Sequence, residues 1–256
     1  AFQKLGLNFV YLAFKVEDVE GAIRGIRALG NLRGVSVTIP HKVAVLPYLD
    51  EVETTARHIG SVNTILVERG KLIGFNTDAS GAIRALQTAG VTLEGQRVLM
   101  LGSGGAARAI AFALAADTGV TRLTILGIDD KERKGLVADL RARTTLQVED
   151  GQVTEEALTR STKESAILLH CTPLGMHPKI EQTCVPAALL GPHLTVMDIV
   201  YNPLDTRLLR EAKAAGCRTV RGLEMFLNQA AAQFELWTGQ AAPTDVMRSV
   251  LESRFS

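Results

Sequence analysis

Residues 97–109 read RVLMLGSGGAARA. Val98, Leu99, Met100 and Leu101 form a short unbroken apolar run, the pattern of a strand covered on both faces. Gly102, Ser103, Gly104 and Gly105 interrupt it, and the alanine-rich stretch 106–116 has the composition of a helix. A strand, a glycine turn and a helix N-terminus in succession make an anion site. The first amides of the helix lack intrahelical partners, and the helix dipole favours a pyrophosphate there. Glycine is required because a Cβ would block both the tight turn and the close approach of a phosphate. A lone Gly-x-Gly-Gly also occurs in plain turns. The strand before it and the helix after it favour a dinucleotide loop.

Downstream, apolar runs at 123–127, 166–170, 194–199 and 219–220 alternate with helical patterns at 130–140 and 206–215, and a helix at 79–89 leads into the glycine-loop strand. That alternation predicts a Rossmann-like, doubly wound parallel sheet over about 80–222. Upstream the pattern differs. A helix end at 1–5 closes at Gly6. The stretch FVYLAF at 9–14 reads as a strand, and 19–29 as an amphipathic helix. GVSVTI at 34–39 alternates as a strand and stops at Pro40; 41–49 reads as a short helix or turn and 52–59 as a helix. Residues 62–68 and 72–75 form a hairpin about Arg69-Gly70-Lys71. A long helix opening at Gly222 and a last one at 247–254 have no strand to cover in the second unit, so they are expected to return to the first. The expected fold is α/β with two domains. Residues 1–78, completed by 223–256, form a substrate domain, and 79–222 a dinucleotide domain. The ligand cleft is expected between them, at the carboxyl ends of the strands.

Composition excludes several classes. The 256 residues carry 28 basic and 27 acidic side chains, so no strongly basic surface points to nucleic acid or an anionic membrane. No apolar run approaches the roughly 20 residues of a membrane span, and no signal peptide is visible. Cys171, Cys184 and Cys217 lack metal-ligand spacing and read as reduced thiols of a cytoplasmic protein. The five histidines are scattered, so no metal centre is expected. His170-Cys171-Thr172 has no partner at ligand spacing that would support a metal or nucleophile reading. A monomer or homodimer acting on a small molecule fits this balance.

Three polar residues stand at strand ends. Lys42, after Val37-Thr38-Ile39-Pro40-His41, is either a solvated surface residue or an acid–base group. Asn63, in Ile59-Gly60-Ser61-Val62-Asn63-Thr64, is either a turn residue or a ligand for a sugar-like hydroxyl. Asp78, in Gly74-Phe75-Asn76-Thr77-Asp78, is either the N-cap of the next helix or a partner for Lys42, and one carboxylate can serve both uses. Met225 and Phe226, at helical spacing in GLEMFLNQ, read on local grounds as core.

Taken in order, VTIPHK, IGSVNT, GFNTD, LGSGGAAR, TPLGM, DIVYNP and GLEMFLNQ resemble the shikimate dehydrogenase family, with its quinate and shikimate members, from Ala1 to about Gly239. The resemblance implies reversible reduction of 3-dehydroshikimate to shikimate by a nicotinamide dinucleotide, a step toward chorismate and the aromatic amino acids. It implies that Lys42 is the catalytic lysine and that Asp78 hydrogen-bonds both Lys42 and the substrate. Thr38, Asn63, Tyr201 and Gln229 match substrate contacts. Gly102, Ser103, Gly104, Gly105 and Ala106 match the cofactor loop, with Thr172, Leu174 and Met176 in a second cofactor segment. Gly222, Met225 and the backbone of Ile199 match positions beside the nicotinamide. Quinate oxidation, a broader polyol specificity, or a cofactor-sensing homologue without turnover are the competing readings.

Three departures from the family pattern bear on these expectations. A Ser-x-Ser segment that holds the substrate carboxylate usually precedes the stretch matching Ala1 and is not in this sequence. A partial chain is expected, the alternative being a variant with altered activity, and the shikimate-versus-quinate preference is left unset. Second, Gly127-Ile128-Asp129 stands where NADP-using members carry Asn-Arg-Thr. Asp129 or Asp130 can accept from a ribose 2′-hydroxyl and would repel a 2′-phosphate, which favours NAD; Lys131 and Arg133 keep NADP open. Third, the usual Asn-Ala-Thr reads His170-Cys171-Thr172, and Ala79 replaces a common glycine. Both predict altered geometry near the cofactor and unchanged chemistry.

Overall fold

The computed structural model describes residues 1–38, 40–116 and 118–255. The first unit contains α1 (Val19–Arg27), β1 (Gly34–Ser36), β2 (Glu51–Val52), α2 (Thr54–Ile59), β3 (Thr64–Glu68) and β4 (Lys71–Phe75). Its sheet runs β1-β3-β4-β2, with β2 parallel to β4 and the other pairs antiparallel. The expected hairpin forms because Arg69 (φ 50°) and Gly70 (φ 80°) both take the left-handed conformation, whose twist matches that of the flanking strands. Ile23, Val45, Ala56, Val62, Ile65 and Leu72 fill the space between this sheet and its helices.

From α3 (Thr77–Thr88) the chain enters the second unit: β5 (Arg97–Leu101), α4 (Gly105–Ala115), β6 (Arg122–Leu126), α5 (Asp130–Arg143), β7 (Gln147–Gly151), α6 (Glu155–Glu164), β8 (Ile167–His170), β9 (Thr195–Asp198), α7 (Arg207–Ala214) and β10 (Arg218–Val220). All six strands are parallel, in the order β10-β9-β8-β5-β6-β7. The chain thus leaves β5 on one side through β6 and β7 and returns on the other at β8. The carboxyl ends of β5 and β8 flank the resulting crevice, the usual ligand position in such sheets. Both faces are buried, as the unbroken apolar run of β5 requires: Val98 and Met100 join one core, Leu99 and Leu101 the other.

The chain closes with α8 (Gly222–Thr238) and α9 (Thr244–Phe255). α8 packs along α3 and returns to the first sheet. Trp237 Nε1 donates to Ile65 O (3.0 Å), Gln233 Nε2 to Thr64 Oγ1 (2.9 Å), and Ser36 Oγ to Gln233 Oε1 (2.9 Å).

Some sequence expectations fail for identifiable reasons. FVYLAF at 9–14 forms no strand. Neither sheet edge pairs with it, and Val10, Tyr11, Leu12 and Phe14 are 61–82% exposed. β-rich composition supplies no hydrogen-bond partner of its own. The strand expected at 34–39 ends at Ser36, with Val37 N still donating to Asn63 O (2.8 Å), and Ile39 lies outside the described residues. Val52 belongs to β2 rather than to α2. β7 and α6 were not expected. β7 is a polar edge strand whose sequence, QVEDG, buries only Val148, and α6 shows itself locally only by its Thr154 cap and acidic first turn.

Candidate active site

The site begins with a network that bolts the start of α3 to the start of β3. Asn63 is buried. Its Oδ1 accepts from Thr77 N (2.8 Å) and Thr64 Oγ1 (2.7 Å), and its Nδ2 donates to Thr77 Oγ1 (3.1 Å). Asn76 donates to Ser61 O (3.0 Å), and its Oδ1 caps α3 by accepting from Ala79 N. Asn76, not Asp78, is therefore the N-cap. Asp78 is left on the first turn, where the helix dipole favours its charge, with its carboxylate available to another partner.

That partner is Lys42. Val62 N donates to Lys42 O (2.8 Å), fixing the lysine backbone against the same β3 entry. Lys42 Nζ then lies 2.6 Å from Asp78 Oδ2, with the two side chains 28% and 17% exposed. An ammonium held by a carboxylate at a partly open site can give a proton to an oxygen that gains charge. Among the described residues Asn63 Nδ2 has Thr77 as its one acceptor, which leaves its second amide hydrogen for a ligand. Thr38 is exposed beside Lys42, and His41 N donates to Thr38 O (2.9 Å).

α8 brings a second group of residues to α3. Gly81, one turn after Asp78, abuts α8 so closely that a Cβ there would lie 2.9 Å from Gln229 N and 3.0 Å from Met225 O. Met225 is 8% exposed and joins the core, as its local pattern suggests; Gln229 is half-buried, with Nε2 donating to Phe226 O (3.1 Å). Gly222 opens α8 directly under the β9 loop, where a Cβ would overlap the carbonyls of Ile199 and Val200. Tyr201 stacks on Phe226 (centroids 4.6 Å apart) and meets the edge of Phe255.

The glycine turn has the geometry of an anion cradle. Gly102 takes φ 106°, and a Cβ there would lie 2.7 Å from Cys171 O. At Gly104 and Gly105 a Cβ would meet no protein atom, so the space these glycines keep open faces outward at the head of α4. Gly104 caps α4 without a side-chain hydrogen bond, leaving the first amides free for a phosphate. These residues fit a dinucleotide pyrophosphate. Ser103 and Ala106 are half-buried beside the turn, and Thr172, Leu174 and Met176 follow β8 on the other side of the crevice.

At the end of β6, Ile128 is 86% exposed and Asp129 caps α5, with Oδ1 accepting from Glu132 N (2.9 Å). Asp129 Oδ2 is free of that bond. Arg133 cannot serve a phosphate as the sequence suggested. Its guanidinium is buried and committed to Gly127 O (2.7 Å), Asp150 (3.1 Å) and Asp130 (2.8 Å). Burial alone would disfavour the charge of Arg133, but these carboxylates hold it in its cationic form.

Arg108, within the glycine motif, turns away from the cradle. It donates to Ile59 O at the end of α2, pairs with Asp139 (2.7 Å) and lies over the Phe112 ring. Arg143 donates to His58 O (3.0 Å). Through them α4 and the end of α5 hold the loop that leads to Asn63. Sequence inspection gave no sign of this. Among the described residues no cluster of His, Cys, Asp and Glu could hold a metal ion, and no helix is long and apolar enough to cross a membrane.

A glycine cradle at the switch point of a parallel sheet, facing a second α/β unit with a lysine–carboxylate pair, defines a two-domain dehydrogenase of the dinucleotide-binding class. Residues 1–65 match the family model described as the shikimate dehydrogenase substrate binding domain, and residues 222–252 the shikimate 5′-dehydrogenase C-terminal domain. The protein named shikimate dehydrogenase (NADP(+)) from Symbiobacterium thermophilum is 47% identical over 97% of this chain and 85% of its own length. The solved shikimate 5-dehydrogenase of Listeria monocytogenes, in complex with shikimate and NAD, superposes with a TM-score of 0.93 at 38% identity, covering 98% of this chain and 89% of that one. Quinate dehydrogenase of Corynebacterium glutamicum in complex with NAD gives 0.90 at 30% identity, covering 98% and 91%. The chain belongs to the shikimate dehydrogenase family, which consists of oxidoreductases. The NADP(+) in the Symbiobacterium protein's name does not bear out the expectation of NAD drawn from Asp129.

Proposed function

We propose that this chain catalyses the reversible NAD(P)-dependent reduction of 3-dehydroshikimate to shikimate, with residues 1–78 and 223–256 as the substrate domain and 79–222 as the dinucleotide domain. The observation that carries this reading is the Lys42 Nζ–Asp78 Oδ2 contact of 2.6 Å, held in place by the network that ties α3 to β3. A nicotinamide dinucleotide, when bound, supplies and takes back the hydride. The free amides at the head of α4 hold its pyrophosphate, and Ile199, Gly222 and Met225 line the approach of its nicotinamide. Lys42 donates a hydrogen bond to the ketone oxygen and then the proton, as negative charge builds there. Asp78 orients Lys42 and accepts from a ring hydroxyl. The spare amide hydrogen of Asn63, with Thr38, Tyr201 and Gln229, fixes the ring so that its reacting carbon faces the nicotinamide. The three free thiols suit a reducing, cytoplasmic setting.

Between the two cofactors, the residues of this chain support NAD. Ile128, Asp129, Asp130 and Glu132 surround the end of β6, and Arg133 is withdrawn into the core. A 2′-phosphate would face carboxylates without an arginine. The names of the NADP(+) relatives support the other choice, for which Lys131 and Lys134 are the exposed cations in the first turns of α5. Quinate oxidation is the second reading for the substrate, supported by the likeness to the Corynebacterium enzyme. One assay separates them: reduced-nicotinamide absorbance with shikimate or quinate against NAD or NADP. Turnover of shikimate with NAD supports the full reading. Equal efficiency with NADP removes the cofactor preference, and no turnover of either acid removes the enzymatic assignment.

A further inference from the structure

A buried polar network closes the carboxyl ends of β8 and β9, with His170 at its centre (2% exposed). His170 Nδ1 lies 2.9 Å from Asp198 Oδ1, and Nε2 lies 2.5 Å from Thr172 Oγ1. Asp198, at 0% exposure, also accepts from Val200 N (3.0 Å) and from Thr206 Oγ1 (2.7 Å). Thr172 Oγ1 in turn accepts from Leu174 N (3.2 Å). One imidazole therefore joins the Leu174 amide, through Thr172, to the Val200 amide, through Asp198. The two ends of this chain of bonds are the segments 172–176 and 199–201, which carry Thr172, Leu174, Met176 and Ile199.

We propose that His170 is a positioning residue which, as an imidazolium, holds the two nicotinamide-facing segments at a fixed spacing. The inference rests on the assignment of those segments to the cofactor. Both ring nitrogens have an oxygen that can accept from them. The fully buried Asp198 carboxylate needs a cation that its two uncharged donors, Val200 and Thr206, do not supply. The titratable groups facing the ring are Asp198 from β9 and Cys184 from the connection before β9. Burial alone disfavours the imidazolium, but the hydrogen bond and charge of Asp198, with a contribution from Cys184, overcome it and raise the His170 pKa to about 9. Cys171, next in the chain, stays a thiol because burial and then Asp198 push its pKa up. When the ring loses its proton, Thr172 must turn its hydroxyl to donate to Nε2, and Asp198 is left without a counter-charge.

The test is the dissociation constant of NADH and of NADPH between pH 7 and 10, measured by fluorescence on the whole chain and on His170→Asn, His170→Gln and Cys184→Ser. Binding to the unaltered protein is expected to weaken about tenfold or more across this range, the scale of one lost charge-assisted hydrogen bond. Neither amide variant carries the imidazolium charge, so each should bind at pH 7 about as weakly as the unaltered protein does at pH 10 and show a flat profile; either one suffices if the other fails to fold. Cys184→Ser should keep the sloping profile. Equal profiles for the unaltered protein and a folded amide variant would overturn the assignment of His170. A flat profile in Cys184→Ser would assign the proton to the thiol instead. Binding of neither cofactor at any pH would overturn the cofactor assignment beneath it.

Discussion

Replacing Lys42 with methionine keeps the length and apolar stem of the side chain and removes its proton and charge. Two consequences of different size follow from the geometry. A positioned general acid contributes about a hundred- to ten-thousandfold in rate, or about 3–5 kcal/mol of barrier. The ground-state loss is smaller. The pair at 2.6 Å is 28% and 17% exposed, and partly solvated pairs of this kind are worth about 1 kcal/mol. Asp78 keeps its favourable place on the first turn of α3 after the lysine is gone. Lys42→Met should therefore lose roughly a thousandfold in turnover. Its melting temperature should fall only about 2–4 °C, the shift that ~1 kcal/mol makes in a chain of this size. The assay is the initial rate of reduced-nicotinamide absorbance with shikimate, beside cofactor binding by fluorescence and a thermal melt on the same preparation. Turnover within tenfold of the unaltered protein would remove Lys42 from the chemistry. A matching loss of cofactor affinity would show that it supports the fold instead. Asp78→Asn, which keeps an acceptor but not the charge, is expected to lie between the two.

Gly102→Ala forces a side chain into φ 106° and toward Cys171 O, so it should lose about 1–3 kcal/mol of stability together with cofactor affinity; a thermal melt and binding unchanged from the parent would refute the cradle. Ile128→Arg with Asp129→Ala supplies a cation and removes a repelling charge. At about 1 kcal/mol for each of the two changes in a solvated setting, NADP efficiency should rise roughly thirtyfold relative to NAD, measured as kcat/KM with each cofactor. The pKa of His170 is raised from 6.5 to about 9, so its contribution to stability is complete below pH 6.5 and lost as pH rises through about 9. Urea unfolding at pH 6.5 and 9.5 should show a loss of up to about 3 kcal/mol that is absent in His170→Asn.

How much of this was legible in the sequence depends on how local the determining contact is. β5, the glycine turn and α4 are contiguous within nineteen residues, so the stretch could be read alone. The hairpin at Arg69-Gly70 is equally local. The strand expected at 9–14 depends on a neighbour to pair with, which no local pattern reveals. Lys42 and Asp78 stand 36 positions apart, and His170 and Asp198 stand 28 apart. Resemblance to a family supplied the first pair; it marked His170 as a departure near the cofactor, but nothing in the sequence joined it to Asp198. Asp78 was read both as a cap and as a partner; Asn76, two residues earlier, takes the cap and leaves Asp78 for Lys42.

The proposed preference for NAD turns on a contact of the same non-local kind. On the sequence, Arg133 is a cation four residues beyond Asp129, close enough to rescue phosphate binding. In the fold its guanidinium is spent on Gly127 O and on two carboxylates, one of them Asp150 from β7, a strand the sequence did not show. Drawing it out to meet a 2′-phosphate would leave Asp150 unpaired and the end of β6 unsupported. The arginine that looks available to the ligand is therefore part of the wall. Asp130 is paired with Arg133 and Lys134, and the carboxylate left beside the exposed Ile128 is that of Asp129.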